Sequence, residues 1–316
     1  MHSSSPKLTS HLIQCNCNQA TKPLLSRAIS SLFETQSSES CWRAKQWLSK
    51  FPEPNSQVYY DLVSLPLTTA SQSLKQIQLD LPRTFPDEPY FSQNSPGREA
   101  MRRILIAYCK YDNNLGYAQG MNFIVGSLLW HASEVDAFWL FVALMEDFEM
   151  RDIYLPNLPG LYKHCQIIQL VMMEFLPKLH LLFAEHRINC EMYCTEWCFS
   201  LFAGVVPVTE MVNVLDNFYR FGWVFFYRLV IALLSYMEDK LLRARDSIEV
   251  LGPLKICRKS QKEWKQFLGQ LEEGINWKKL IERANVFQID ESYVRYLLFN
   301  FDQSNARFKL RRLTTH

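Results

Sequence analysis

The spacing of apolar residues constrains the fold of this chain more than any other feature, because it follows the period of an α-helix. One such segment covers residues 97–110, where apolar side chains recur on one helical face at Met101, Ile104, Leu105 and Tyr108. Glycine is scarce, at 10 of 316 residues, while Leu, Met, Phe, Glu, Lys and Gln are abundant. That bias favours helices over sandwiches and barrels, so the sequence predicts an all-α protein.

Other segments show the same helical character. The longer ones are residues 135–148, 166–180, 191–204, 209–221 and 225–242, and the later ones are residues 260–270, 277–284 and 291–299. No internal repeat of fixed period is present, which argues against a solenoid.

Charge and cysteine content exclude several classes of protein. The net charge of +2 comes from 34 basic and 32 acidic residues that are well mixed, so we expect no nucleic-acid partner. The nine cysteines are scattered singly and are odd in number, which does not describe a disulfide framework in a chain this long. We therefore expect a reducing compartment, the cytoplasm.

We predict neither a transmembrane segment nor a secretory signal. The longest stretch without Asp, Glu, Lys or Arg, residues 113–133, carries three Asn, one Gln, one His and three Gly, which would be costly to bury in a bilayer. The first forty residues contain ten Ser and no long apolar run. Residues 1–38 are predicted to be a disordered, Ser-rich leader.

The first chemically suggestive motif is I-x-x-D-x-x-R, formed by Ile77, Asp80 and Arg83. Three prolines, at 82, 86 and 89, are expected to exclude a helix after it, so Arg83 should project from a stiff loop or a helix end. Taken alone, the motif is explained as well by a core isoleucine and a local ion pair between Asp80 and Arg83.

The second motif is Y-x-Q-G-M-N, in which Gln119 is followed by Gly120 and Asn122. We predict a helix that begins near Tyr117, places Gln119 in its first turn and buries the face formed by Tyr117, Met121, Ile124 and Leu128. The start of a helix has little reason to combine Gln, Gly and Asn unless another molecule approaches closely.

A guanidinium and a carboxamide are the two groups that GTP hydrolysis needs beside the nucleotide. The first stabilises charge on the phosphoryl oxygens, and the second orients the attacking water. The sequence shows no nucleotide-binding loop, so Arg83 and Gln119 would have to act on a partner.

A third pattern resembles a set of metal ligands but predicts no metal site. The residues concerned recur every four positions, at His186, Cys190, Cys194 and Cys198. On one helix they would span about 18 Å at roughly 1.5 Å per residue, so they cannot converge on one ion. We expect buried cysteines in a helix seam instead. No serine lies in a nucleophile-elbow pattern, so a hydrolase has no support.

The order of three motifs along the chain resembles the signature of a known family. An R-x-x-x-W pair, Arg43 and Trp47, precedes I-x-x-D-x-x-R-T-F-P and then G-Y-x-Q-G-M-N-F-I. Alone, that pair is explained by a core tryptophan and a surface arginine. Together the motifs resemble the signature of TBC-domain GTPase-activating proteins for Rab GTPases. The resemblance covers residues 41–242, and less clearly extends to about residue 301.

The resemblance implies an all-α, two-lobed TBC domain over residues 39–301, whose N-terminal lobe carries the motifs, with a tail at 302–316. Arg83 and Gln119 would be the catalytic arginine and glutamine fingers, and Asp80 would orient Arg83. Further supporting positions are Tyr117 and Asn122, which would shape the glutamine turn, together with Ile77, Thr84 and Gly120. Arg43 and Trp47 would be structural.

The same resemblance implies a partner, a GTP-bound Rab that itself holds the nucleotide and Mg²⁺. The chain would then be an activator of an enzyme, with no cofactor of its own, compatible with peripheral recruitment to endomembranes. The alternative is a catalytically silent Rab-binding scaffold or effector of the same fold. The catalytic interpretation requires that Arg83 and Gln119 open onto one surface groove within reach of a single phosphate, and burial of either side chain would exclude it. A membrane-surface protein would need a basic amphipathic helix, and none stands out.

Overall fold

The computed structural model describes residues 40–66, 71–255 and 275–300. Over these residues the regular secondary structure is helical and contains no β-strand, which confirms the all-α prediction. The chain divides into two compact units, with the boundary between Ala143 and Leu144.

The first helices of the chain are α1 (Trp42–Leu48), α2 (Ser56–Ser64), α3 (Ser71–Asp80), α4 (Pro96–Tyr111), α5 (Met121–Leu129) and α6 (Glu134–Glu146). Two short 3₁₀ turns, Leu81–Arg83 and Pro89–Phe91, follow α3. The next helices are α7 (Arg151–Tyr154), α8 (Pro159–Phe175), α9 (Pro177–Glu185), α10 (Glu191–Ser200), α11 (Met211–Phe221), α12 (Trp223–Leu241), α13 (Ser247–Leu254) and α14 (Trp277–Ala284). Residues 291–300 are also helical.

Helix α4 is the centre of the first unit. It begins at a cap in which the Ser95 hydroxyl accepts a hydrogen bond from the Arg98 N–H, and Pro96 occupies the first turn, where its missing N–H costs nothing. It packs against α2, α3 and α5. The apolar face predicted from spacing is confirmed, since all four of its members are buried: Met101, Ile104, Leu105 and Tyr108.

Helix α12 has the corresponding role in the second unit, where it packs against α8, α11 and α14. Its Phe226 lies in an aromatic cluster with Phe202, and the Phe202 ring stacks on Trp197 at a centroid distance of 5.3 Å. The predicted helix at 277–284 is confirmed with the same bounds. The one predicted at 260–270 lies outside the described residues.

Two predicted helical runs are interrupted or end early. The run predicted over 166–180 is interrupted at Leu176, because Pro177 cannot continue a helix and disfavours the helical region for the residue before it. The run predicted over 191–204 ends at Ser200, where Leu201 and Phe202 take positive φ angles of 48° and 66°.

The cysteines of the four-residue ladder are buried, as the packing interpretation predicted. Cys190, Cys194 and Cys198 are each no more than 2% exposed. They lie at the start of α10 and along it, whereas His186 follows the end of α9. Within the described part of the chain, no group of three or more His, Cys, Asp or Glu could hold a metal ion.

Among the described helices, none is both long and apolar enough to cross a membrane.

Trp47 anchors α1 in the first unit, and His131 is the ring beside it. Trp47 is 2% exposed and packs edge-on against His131, with ring centroids 5.9 Å apart. The Cys41 N–H also donates to the His131 carbonyl at 2.9 Å. In contrast, Trp42 on the same helix is 51% exposed, and the Arg43 guanidinium lies over its ring. Trp47 is therefore the core residue of its motif.

The two tryptophans of α1 provide a matched test of this packing. Trp47→Ala should lower the free energy of unfolding by about 3–5 kcal/mol, because it removes a large buried ring. Trp42→Ala should lower it by less than about 1 kcal/mol, since that ring stays half in water. Urea unfolding followed by circular dichroism measures both. Equal losses in the two variants would contradict the assignment of Trp47 to the core.

His131 should also make stability depend on pH. Burial lowers the pKa of its ring to about 3, with the Arg43 charge adding to the shift, and neither ring nitrogen has a hydrogen-bond partner among the described residues. The unfolded chain takes up a proton below about pH 6.5. Above that pH the ring is neutral in the folded and unfolded chain, so its protonation costs no stability. As the pH falls towards about 3, only the unfolded chain binds the proton, and the free energy of unfolding falls by up to about 1.4 kcal/mol per pH unit.

Replacement by an uncharged ring tests this pH dependence. His131→Phe should lose less stability than the wild type when the pH falls from 7 to 5, measured by urea unfolding at each pH. His180→Phe serves as the control, because His180 is only half-buried. An identical loss in wild type and His131→Phe would show that His131 does not contribute.

Candidate functional site

Arg83 lies at the end of the 3₁₀ turn Leu81–Arg83, directly after α3. The expectation that Pro82 excludes any helix here is wrong for this short turn, because proline in a first turn loses no hydrogen bond. Of the two placements expected for Arg83, a stiff loop or a helix end, the structure shows the helix end, and the Arg83 side chain is 43% exposed. We call residues 80–84 the arginine turn.

Asp80 anchors the arginine turn through its buried carboxylate. Its side chain is fully buried and forms an ion pair with Arg83. The Gln76 amide donates to one carboxylate oxygen at 3.1 Å, and the Tyr117 hydroxyl donates to the other at 2.6 Å. A buried carboxylate is tolerated only with such partners, so Asp80 draws Tyr117 and Arg83 to the same place.

Gln119 lies in a turn that precedes α5, and not in the first turn of the helix as predicted. Helix α5 begins at Met121, and its N-cap Gly120 has a φ of 110°, a conformation that L-residues rarely adopt. The helix cannot extend back to Tyr117 through that backbone. The Gln119 side chain is exposed and makes no hydrogen bond to another described residue. We call residues 117–120 the glutamine turn.

The buried face predicted for this helix is confirmed in part. Met121, Ile124 and Leu128 are each no more than 1% exposed. Tyr117 is half-buried and lies outside the helix, held by its hydroxyl to Asp80.

Asn122, in the first turn of α5, joins the two turns. Its Nδ2 donates to the Thr84 hydroxyl at 2.7 Å, and its Oδ1 accepts the Gly120 N–H at 3.0 Å. These two bonds fix which end of the amide is oxygen. The Tyr117 oxygen lies 3.1 Å from the same Oδ1, but its single proton goes to Asp80, because the carboxylate is the stronger acceptor.

Phe85 holds the arginine turn from the apolar side, which the sequence analysis missed. Its φ is 47°, and its ring meets Phe123 edge-on at a centroid distance of 5.6 Å. A Cβ on Gly126 of α5 would lie 2.8 Å from the Phe85 ring, so only glycine leaves room for this contact. A glycine inside an apolar helical run was the available signal.

Gln76 was also missed. It stands four residues before Asp80 on α3, and side chains at that spacing share a helix face.

The structure connects most of the predicted supporting residues. Hydrogen bonds or the ion pair link Asp80, Arg83, Thr84, Tyr117, Gly120 and Asn122. Ile77 is 1% exposed and contributes to the core. Arg43 and Trp47 lie on α1, where Trp47 packs against His131.

The chemistry available is a cation beside a neutral donor and acceptor, carried by two tethered turns. Arg83 offers the part of its guanidinium that Asp80 does not occupy, and Gln119 offers a carboxamide that is not engaged within the described protein. Both side chains are exposed, so burial does not exclude the catalytic interpretation. Such groups suit a phosphoryl centre and a water molecule.

The part of the chain that contains both turns matches a known protein family. The family model described as the Rab-GTPase-TBC domain matches residues 24–242. A Caenorhabditis elegans relative named Rab GTPase-activating protein eat-17 is 28% identical over 261 residues, which are 81% of this chain and 28% of the relative. TBC1 domain family member 12 of Xenopus tropicalis is 30% identical over 250 residues, which are 79% of this chain and 34% of the relative. The chain thus spans about a third or less of these relatives.

Solved structures show a similar fold. The TBC domain of the Chlamydomonas flagellar RabGAP superposes with a TM-score of 0.60 at 28% identity, covering 77% of this chain and 78% of that one. The Ypt/Rab-GAP domain of Gyp1p gives 0.58 at 16% identity over 77% and 79% of the two chains, a likeness of fold alone. With the family model matched across more than half of its length, this chain belongs to the Rab-GTPase-TBC domain family.

Proposed function

We propose that this chain accelerates GTP hydrolysis by a GTP-loaded Rab GTPase, to which it supplies Arg83 and Gln119 in trans. The observation that carries the proposal is that both side chains are exposed, while the two turns that present them share one buried hydrogen-bond network. The network holds the turns in place before a partner arrives, so less order has to be created on binding.

Arg83 would act on the charge that develops on the transferred phosphoryl group. One nitrogen of its guanidinium is held by Asp80, which leaves the other donors for the phosphate oxygens. An arginine supplied in trans accelerates GTP hydrolysis by about 10³ to 10⁵. At about 1.4 kcal/mol per decade, this lowers the barrier by roughly 4–7 kcal/mol.

Gln119 would orient the attacking water in place of the glutamine of the GTPase. Its carboxamide can accept a hydrogen bond from the water and donate another to the partner. The proposal assigns the nucleotide and Mg²⁺ to the GTPase. A Rab substrate would place this chain in the cytoplasm, at the endomembrane that carries the Rab.

Single substitutions of the two fingers test the proposal. Arg83→Ala should lower the stimulated rate of phosphate release by about 10³-fold or more. Gln119→Ala should lower it by about 10²-fold, the cost of removing one group that stabilises the transition state. The measurement is phosphate release from a panel of GTP-loaded Rab GTPases. Binding to the same GTPases should change far less than the rate.

The matched controls are Arg245→Ala and Gln57→Ala. Arg245 is an exposed arginine paired with Glu249, and Gln57 is an exposed glutamine bonded to Asp61. Both variants should keep full stimulation. Full stimulation by Arg83→Ala would refute the assignment, and tight binding without acceleration by the wild type would favour a silent scaffold.

Arg83→Lys separates charge from geometry. Lysine keeps the positive charge but offers a single nitrogen, which cannot hold Asp80 and contact several phosphate oxygens as the planar guanidinium can. We expect a rate much closer to that of Arg83→Ala than to the wild type in the same assay. Wild-type activity in Arg83→Lys would mean that charge alone is sufficient.

A further inference from the structure

Arg83 and Gln119 lie on separate turns, 36 positions apart in the sequence, yet one buried side chain contacts the neighbour of each. Asn122 donates from Nδ2 to the hydroxyl of Thr84, the residue after Arg83, at 2.7 Å. Its Oδ1 accepts from the N–H of Gly120, the residue after Gln119, at 3.0 Å.

The bond to Gly120 restrains the glutamine turn directly. The Gly120 N–H belongs to the peptide unit that also contains the Gln119 carbonyl, and a peptide unit is planar. Holding its N–H therefore limits rotation about the bonds on both sides, including the one that sets the direction of Gln119. Glycine has unusual backbone freedom, and Gly120, at a φ of 110°, has no side chain to restrain it, so the hydrogen bond from its N–H is an important restraint on this turn.

The bond to Thr84 restrains the arginine turn in the same way. The Thr84 hydroxyl donates its own proton to the Asp80 carbonyl at 2.8 Å, and the Thr84 N–H donates to the Leu81 carbonyl at 3.2 Å. These bonds close the 3₁₀ turn around Arg83. Because the hydroxyl proton is already used, Thr84 meets Asn122 as an acceptor, which only a donor such as Nδ2 can satisfy.

Burial makes the loss of either Asn122 hydrogen bond costly. Asn122 and Thr84 are both fully buried, so water does not replace a broken bond, and an unsatisfied group carries its full desolvation cost. A second route runs parallel to the first, from the Tyr117 hydroxyl to Asp80 and from Asp80 to Arg83. A shift of either turn would therefore disturb the other.

We propose that Asn122 is a positioning residue that couples the two fingers through Thr84 and Gly120, so that Arg83 and Gln119 act as one unit. The inference rests on the proposed function, which it deepens by predicting that the contributions of the two fingers are not independent.

The kinetic test uses Asn122→Ala, Thr84→Val and the conservative variant Thr84→Ser. Phosphate release in a single turnover is measured over a range of concentrations of this chain, which separates the maximal rate from half-saturation. Asn122→Ala and Thr84→Val should lower the maximal rate by about 10- to 100-fold, the effect expected from misplacement by up to about 1 Å. Half-saturation should change little, and Thr84→Ser should restore most of the maximal rate because it keeps the hydroxyl.

Double-mutant cycles distinguish positioning from loss of folded protein. Asn122→Ala should reduce the maximal rate by a smaller factor in the Arg83→Ala and Gln119→Ala backgrounds than in the wild type, because each background has already lost one of the positioned groups. A lower folded fraction would reduce the rate by the same factor in every background. Thermal unfolding of each variant measures stability separately.

The coupling can also be measured without any partner. Thr84→Val leaves Asn122 and Gly120 unchanged, yet it should speed hydrogen exchange of the Gly120 amide, whereas Thr84→Ser should leave that exchange near the wild-type rate. NMR of the free protein reports both.

The outcomes separate this inference from the proposed function. If the wild type accelerates no GTPase, the proposed function fails and the exchange of the Gly120 amide still tests the coupling. If the wild type and both finger variants behave as proposed, a full maximal rate in Asn122→Ala or an equal factor in every background overturns the coupling. An unchanged Gly120 amide in Thr84→Val also overturns it.

Discussion

The buried carboxylate of Asp80 is the constraint on which the rest of the site depends. A charge removed from water needs donors on each oxygen, and Asp80 obtains them from Gln76, Arg83 and Tyr117. Gln76 lies on the same helix, but Tyr117 comes from a turn that lies far away in the sequence. Satisfying one carboxylate therefore brings the arginine turn and the glutamine turn together.

The energetic consequence is that the arginine turn and the glutamine turn are held in place before a partner binds. Asn122 and Phe85 hold the arginine turn from a polar and an apolar direction. Gly120 supplies the backbone freedom and Gly126 the space that these contacts need. The exposed ends of Arg83 and Gln119 then belong to a rigid support. A site of this kind gives up little order when it meets a partner, which suits residues that act on the chemistry of another protein.

The sequence predicted the helices well where packing follows the helical period, as along α4 and at Trp277–Ala284. Motif order also identified most members of the hydrogen-bonded cluster around Asp80, but not Gln76 or Phe85. Prediction from the sequence failed where the outcome depends on contacts distant in sequence. The start of α5 depends on Gly120 and on the Asp80–Tyr117 bond, and the close approach of Phe85 to Gly126 depends on two packed elements. A glycine marks each of these places in the sequence, but local propensity does not identify the distant residue that packs or bonds there.

The most direct test of the account is a crystal structure of this chain bound to a Rab GTPase that holds GDP, Mg²⁺ and an aluminium fluoride mimic of the transferred phosphoryl group. We predict that the Arg83 guanidinium contacts the fluoride while keeping its ion pair with Asp80, and that Gln119 contacts the water in line for attack. The two turns should superpose on those of the free protein. A different arginine at the fluoride, or a rearranged glutamine turn, would contradict it.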